Sequence, residues 1–134
     1  MAYDFLWRAH AILMGTSFLS MLSGIVISLA WKKRKWRFKT HRFLGVFAGA
    51  SGLAALALAF IMVGSYGGYH FTSAHAVVGL IAAILLLLVP AAGLSIAKVK
   101  NKKRLKLIHR AAGFLLAALM LSAIFLGLEF AGII

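Results

Sequence analysis

The sequence contains no cysteine, two acidic residues and one proline. The lack of cysteine excludes disulfides, iron–sulfur clusters, zinc–thiolate sites and covalent haem attachment through C-x-x-C-H. Any cofactor must therefore be held by histidine, methionine, backbone groups or packing. Glu129 is the only acidic residue in a hydrophobic segment, and it lies near the end of that segment. The single proline, Pro90, removes one helical hydrogen bond and is consistent with either a bend beside a cofactor or a tolerated membrane proline.

Acidic charge is scarce, but basic charge is abundant and confined to two clusters. The 15 Lys and Arg residues give a formal net charge of +13. Seven lie in residues 32–42, seven in residues 98–110, and only Arg8 lies elsewhere. Two basic clusters on either side of a hydrophobic hairpin follow the positive-inside rule of membrane proteins, which places both clusters in the cytoplasm. This distribution argues against nucleic acid as a partner.

Hydrophobic residues make up 63% of the chain and the mean hydropathy is +1.00. A soluble domain of this length cannot bury so much apolar surface, whereas a bilayer accommodates helices of about 20 apolar residues. The predicted spans are residues 6–31, 41–64, 72–97 and 107–134. We expect an all-α membrane protein, with residues 1–134 forming a single up-down-up-down four-helix transmembrane bundle. Both termini are then non-cytoplasmic, and the expected location is a bacterial or archaeal cytoplasmic membrane.

An internal repeat relates the two halves, because a histidine opens each span. His10 and His75 open the first and third spans, and each is followed by alanine. His41 and His109 open the second and fourth spans, and each is followed by arginine and by a glycine four residues on. The chain therefore reads as two repeated hairpins of the same orientation.

The topology sorts these histidines into two pairs at two depths. Spans one and three begin outside, so His10 and His75 share the outer level, whereas His41 and His109 share the inner level. Two facing imidazoles at one depth are what a bis-histidine haem requires, so we expect two non-covalent b haems. A zinc or copper site would need three or four ligands at one point. A proton relay would need carboxylates between the levels, and a purely structural role is the remaining alternative.

Further candidate residues surround the four histidines. The residue one turn after each histidine is small or flexible and would leave a slot for a porphyrin; these are Met14, Gly45, Gly79 and Gly113. Close helix packing explains the same small residues equally well. Candidate contacts to haem propionates are Arg42 and Arg110 inside, with Arg8, Tyr69 and Ser73 outside. Topology and anionic-lipid contact are the alternative for the arginines.

Four short motifs in order, one per span, resemble the cytochrome b561 family. They are His10-Ala11-Ile12-Leu13-Met14, His41-Arg42-Phe43-Leu44-Gly45, Ser73-Ala74-His75-Ala76-Val77-Val78-Gly79-Leu80 and His109-Arg110-Ala111-Ala112-Gly113. The resemblance implies two b haems, ligation between the first and third and between the second and fourth core helices, and transmembrane electron transfer. Plant and animal members commonly have six helices, form dimers and use ascorbate, whereas this chain has only the four core helices.

The electron donor and acceptor are open at this stage. Ascorbate, a quinol and a cytochrome are the candidate classes. The oligomeric state is also open, with a homodimer and a subunit of a complex both considered. The alternative function is a haem b membrane subunit of a larger respiratory or quinone-linked redox complex. A non-redox four-helix transporter or scaffold is a rival from another class.

Overall fold

A computed structural model describes residues 2–134 and shows four long helices. They are α1 (Ala2–Ala30), α2 (Arg37–Ser65), α3 (Ala74–Ser95) and α4 (Lys102–Phe130). All four are long and apolar enough to cross a membrane, and residues 2–134 contain no β-strand. The predicted all-α four-helix transmembrane bundle is confirmed, and α3 continues without a break through Pro90.

Local capping sets the starts of α3 and α4, which differ from the predicted span limits. The Asn101 side chain accepts a hydrogen bond from the backbone N–H of Arg104 at 3.1 Å, so α4 begins in the basic segment, ahead of the apolar block. The Ser73 hydroxyl accepts from the N–H of Ala76 at 3.2 Å, so α3 begins just after Ser73. Hydropathy detects only the apolar part of a helix, so the predicted fourth span, 107–134, missed the polar first turn of α4. The predicted third span, 72–97, instead began before α3 does.

A glycine with left-handed backbone geometry follows the last residue of both α2 and α4 at a distance of two residues. Gly67 has φ of +70° and Gly132 has φ of +67°. In each case the N–H of the following residue donates to the carbonyl five residues earlier, that of Val63 at 3.1 Å or of Leu128 at 3.0 Å. This Schellman arrangement satisfies helix-end carbonyls and stops the helix. The fourth helix consequently ends at Phe130 and not at the predicted residue 134.

Neighbouring helices run antiparallel and pack as two hairpins. Backbone contacts join α1 to α2 and α3 to α4 extensively, and the hairpins meet over shorter stretches through α2 with α3 and α1 with α4. Over the described residues, the diagonal pairs α1 with α3 and α2 with α4 have no Cα atoms within 8 Å of each other. The start of α1 lies beside the end of α2, where the Tyr3 and Tyr66 ring centres are 5.1 Å apart. The up-down-up-down order therefore follows from the contacts.

The buried core is one narrow stripe on each helix, in register with its histidine. The residue seven positions after each histidine is buried, and so is the residue eleven positions after it. These residues are Ser17, Ala48, Ala82, Leu116, Met21, Gly52, Leu86 and Met120. Most large apolar side chains outside the stripe are exposed, as expected of a bundle dissolved in lipid.

Two serine hydroxyls form hydrogen bonds between α1 and α2 near the middle of the first hairpin. Ser17 donates to the carbonyl of Ala48 at 2.7 Å, and Ser51 donates to the carbonyl of Leu13 at 2.9 Å. Both bonds run between α1 and α2 in a region without water to compete, so both hydroxyls are satisfied within the protein. The repeat position of Ser17 in the second hairpin is Ala82, which has no hydroxyl.

We expect Gly52→Ala to destabilise the folded bundle. A Cβ at Gly52 would meet the Leu86 side chain and would lie 2.9 Å from Ser17 Oγ. The overpacking should cost about 1–3 kcal/mol and lower the Tm in detergent. Gly64→Ala, in the same helix, is the control because an added Cβ there has no atom within 4 Å. Equal Tm values for the two variants would contradict the close approach at Gly52.

Candidate functional site

The structure brings the four span-opening histidines together as two facing pairs. The ring centres of His10 and His75 are 6.2 Å apart with an interplanar angle of 84°. Those of His41 and His109 are 5.9 Å apart with an angle of 88°. Each pair joins two diagonal helices, and all four side chains are half-buried. These are the two pairs that topology and repeat predicted.

Each histidine is held by a hydrogen bond from its Nδ1 to a backbone carbonyl of the other helix in its hairpin. The bonds are His10 to Ala55 at 2.8 Å, His41 to Gly24 at 2.9 Å, His75 to Ala123 at 2.8 Å and His109 to Val89 at 3.0 Å. The bonding is reciprocal, since each helix both donates from its histidine and accepts at a carbonyl. The two hairpins are therefore alike in hydrogen bonding as well as in sequence.

These bonds settle which ring nitrogen is available to a ligand. A carbonyl oxygen only accepts hydrogen bonds, so Nδ1 must carry the proton in all four rings. The neutral imidazole then has its lone pair on Nε2. A backbone carbonyl that fixes the tautomer and ring orientation in this way is the usual outer support of a metal-binding histidine.

A constant spacing along each helix places the pairs at two levels. The accepting carbonyl lies 14 residues after the histidine of its own helix in all four cases. At 1.5 Å per residue, 14 residues correspond to about 21 Å of helix. Every helix thus supports one level with its imidazole and the other level with a carbonyl.

Glycine lies against three of the histidine rings. A Cβ on Gly127 would be 2.9 Å from Cε1 of His75, and a Cβ on Gly93 would be 2.9 Å from Cε1 of His109. A Cβ on Gly24 would be 3.5 Å from Nδ1 of His41. Because hydrogen bonds hold these rings, a larger residue at Gly93 or Gly127 would clash with a ring or strain its hydrogen bond.

The separation within each pair suits one metal ion bound between two imidazoles. Two metal–nitrogen bonds of about 2 Å, plus about 1 Å from each nitrogen to its ring centre, put opposed ring centres about 6 Å apart. Within residues 2–134 no group of three or more His, Cys, Asp or Glu side chains comes together as a metal site. Two protein ligands at each level fit an ion whose other positions are filled by a planar macrocycle, as in haem.

The residues one turn after the histidines border open space. A Cβ on Gly45 or Gly79 would meet no atom within 4 Å, and one on Gly113 would reach only Cγ1 of Val89 at 4.0 Å. Met14 is half-buried and packs against the core. The three glycines leave room beside the rings, as a bound porphyrin would require.

The predicted arginine contacts do not lie on the inward stripe. Arg42 and Arg110 directly follow His41 and His109, but their side chains are exposed because one residue turns a helix by about 100°. Arg8 is also exposed, and its guanidinium lies over the Trp7 ring at 5.5 Å. The structure therefore does not bring these arginines onto the face that carries the histidines.

The loop between α2 and α3 holds the remaining candidates. Tyr69 is 85% exposed, and the Ser73 hydroxyl is engaged as the cap of α3. The Thr72 hydroxyl donates to the Tyr69 carbonyl at 3.2 Å. His70, which belongs to neither pair, lies 4.8 Å from the Phe60 ring between ring centres.

Sequence reasoning missed the four carbonyl acceptors. A backbone carbonyl is present at every residue, so no residue type marks it. The available signal was the repeat itself, since Gly24, Ala55, Val89 and Ala123 occupy the same position relative to their histidines.

Comparison with known proteins bears on the same residues. The family model described as eukaryotic cytochrome b561 matches residues 5–134, nearly the whole chain. No curated protein and no solved structure matches it. Because the matching family model is eukaryotic, the expectation of a bacterial or archaeal membrane has no support. The match and the four-helix membrane fold confirm the resemblance, and the chain belongs to the cytochrome b561 family, whose members bind haem b and transfer electrons across membranes.

Proposed function

We propose that this chain carries electrons across a membrane with two non-covalent b haems, one at each histidine pair. His10 and His75 would hold one haem, and His41 and His109 would hold the other. The observation that carries this proposal is the shared geometry of the four rings: Nδ1 donates to a carbonyl in each, and the ring centres of each pair are about 6 Å apart. A structural role alone would not require the same tautomer four times.

The protein contributes ligation, orientation and exclusion of water. A haem at each pair supplies a one-electron iron couple. The carbonyls of α1–α4 fix the tautomer and the planes of the imidazoles, and hydrogen bonding from Nδ1 makes Nε2 a stronger ligand. Between the levels lie the buried residues seven positions after each histidine, which close the bundle centre to solvent.

We further propose the orientation that the charges predicted. The 32–42 and 98–110 clusters adjoin the His41–His109 end of the bundle and would face the cytoplasm. The His10–His75 pair and both chain ends would then lie on the other side. This orientation sets the two haems near opposite membrane faces.

The haem content of purified protein should be two per chain, with a reduced α band typical of b haems. We expect His75→Ala to lose one haem, because a single axial imidazole remains at the outer level. His70→Ala is the matched control, since it removes a histidine outside both pairs and should retain two haems. Pyridine haemochrome analysis against protein concentration gives the ratio.

The pairing itself is tested by comparing all four single His→Ala variants. His10→Ala and His75→Ala should lose the same haem, identified by its midpoint potential and α band, and His41→Ala and His109→Ala should lose the other. Loss of the same haem by His10→Ala and His41→Ala would overturn the assignment.

Alanine at the glycines that touch the rings should disturb one level at a time. Gly127→Ala should shift the midpoint potential and α band of the His10–His75 haem, because its Cβ would collide with the His75 ring. Gly93→Ala should shift only the His41–His109 haem. Each variant serves as the control for the other, and equal effects of both on both haems would contradict the proposed arrangement.

Electron transfer by the chain alone separates the proposal from the alternative of a subunit in a larger respiratory or quinone-linked complex. In vesicles containing entrapped ferricyanide, external ascorbate should reduce the entrapped acceptor when the wild-type chain is present. His75→Ala and His109→Ala should each reduce the rate to that of protein-free vesicles. If haem-loaded wild-type protein transfers no electrons from ascorbate or a quinol without added protein, the subunit function is favoured.

A further inference from the structure

Arg37 differs from every other basic residue of the chain. Of the 15 Lys and Arg side chains, 14 are exposed and only Arg37 is half-buried. Within the described part of the chain, its Nε is the one buried side-chain nitrogen or oxygen without a hydrogen-bond partner. A charged N–H donor removed from water and left unpaired is costly, so this position calls for an acceptor that the chain itself does not supply.

The position of Arg37 points to the inner histidine pair. It lies four residues before His41, on the same face of α2. Its NH1 donates to the carbonyl of Ser28 at 3.4 Å, and Ser28 lies one turn beyond Gly24, whose carbonyl holds His41. The guanidinium also stacks on Phe38, with Cζ 4.1 Å from the ring centre. These contacts hold Arg37 at the inner end of the α1–α2 groove, beside the inner level.

The same position is not basic elsewhere in the repeat. The residue four positions before the histidine is Leu6 in the first span, Phe71 in the third and Leu105 in the fourth. The positive-inside rule accounts for basic residues throughout both cytoplasmic clusters, but it gives no reason for one guanidinium to turn inward.

No carboxylate of the chain lies near enough to pair with Arg37. The two acidic residues, Asp4 and Glu129, lie in the first turn of α1 and near the end of α4. Both ends belong to the His10–His75 level. Asp4 is 24 residues before Ser28, or about 36 Å of helix. An anion that pairs with Arg37 would therefore come from outside the polypeptide.

We propose that Arg37 binds a propionate carboxylate of the haem held by His41 and His109. This inference rests on the proposed function and assigns the anion-binding residue of its inner site. A guanidinium binds a carboxylate through charge-assisted hydrogen bonds, and Nε with one terminal nitrogen forms a two-pronged donor. Arg42, which sequence reasoning favoured, is rotated by about 100° from the His41 face and is exposed.

The test uses haem-loaded protein in the His75→Ala background, where only the inner haem remains. Arg37→Gln should lower the midpoint potential of this haem, because a positive charge beside it favours the reduced iron. It should also speed haem transfer to excess apomyoglobin by roughly tenfold, as expected for loss of a charge-assisted hydrogen bond. Arg34→Gln is the matched control: it makes the same change at an exposed arginine of the same cluster and should alter neither value.

Conservative variants test the positive charge and the hydrogen-bond geometry separately. Arg37→Lys retains the charge but not the two-pronged donor, so the potential should stay near that of the parent while haem loss accelerates; Arg34→Lys should match the parent. If Arg37→Gln does not fold, the comparison of Arg37→Lys with Arg34→Lys tests the proposal. A potential shift and haem loss in Arg42→Gln but not in Arg37→Gln would overturn the proposal.

The outcomes also distinguish this inference from the function on which it rests. Purified wild-type protein that contains no haem would contradict the proposed function. Two haems in the wild type, with Arg37→Gln and Arg34→Gln indistinguishable, would overturn only the role of Arg37. An Arg37→Gln effect that appears in vesicles of anionic phospholipid and vanishes in zwitterionic detergent would identify the bound oxyanion as a lipid phosphate, which also overturns the propionate assignment.

Discussion

The arrangement depends on one hydrogen bond made four times, from a histidine Nδ1 to a carbonyl of the antiparallel neighbour. Polar groups in a bilayer must find partners within the protein, and this bond satisfies the ring while leaving its second nitrogen available. It also ties the two helices of each hairpin together at both depths. The same hydrogen bond therefore stabilises the helix packing and orients the histidines toward a ligand.

The small residues of the inward stripe follow from that bond. A ring reaches a neighbouring carbonyl at 2.8–3.0 Å only if the two backbones approach closely, which limits side-chain volume where they meet. The buried stripe is accordingly rich in alanine, glycine and serine, and its larger members gather at mid-depth. Most of the bulky apolar side chains face outward to lipid, so the sequence is hydrophobic throughout although little of it is core.

The sequence predicted most of the fold and the partners of each histidine, because hydropathy, charge asymmetry and the repeat act over whole helices. The prediction failed at features that depend on one residue or one backbone group. The first turn of α4 was missed because Asn101 starts the helix among lysines, and its end because Gly132 stops it. The carbonyl acceptors have no residue signature. Arg42 and Arg110 directly follow their histidines in sequence, but one residue turns a helix by about 100°, so adjacency did not place their side chains on the histidine face.

The interval of 14 residues between each histidine and the carbonyl in the same helix has an evolutionary consequence. It equals two heptads, about four helical turns, so it keeps both groups on one face of the helix. Inserting or deleting one residue within the interval would rotate one level away from the other and break bonds in both directions. Length variation among related chains should therefore be confined to the loops and helix ends, where residues can be gained or lost without disturbing either level.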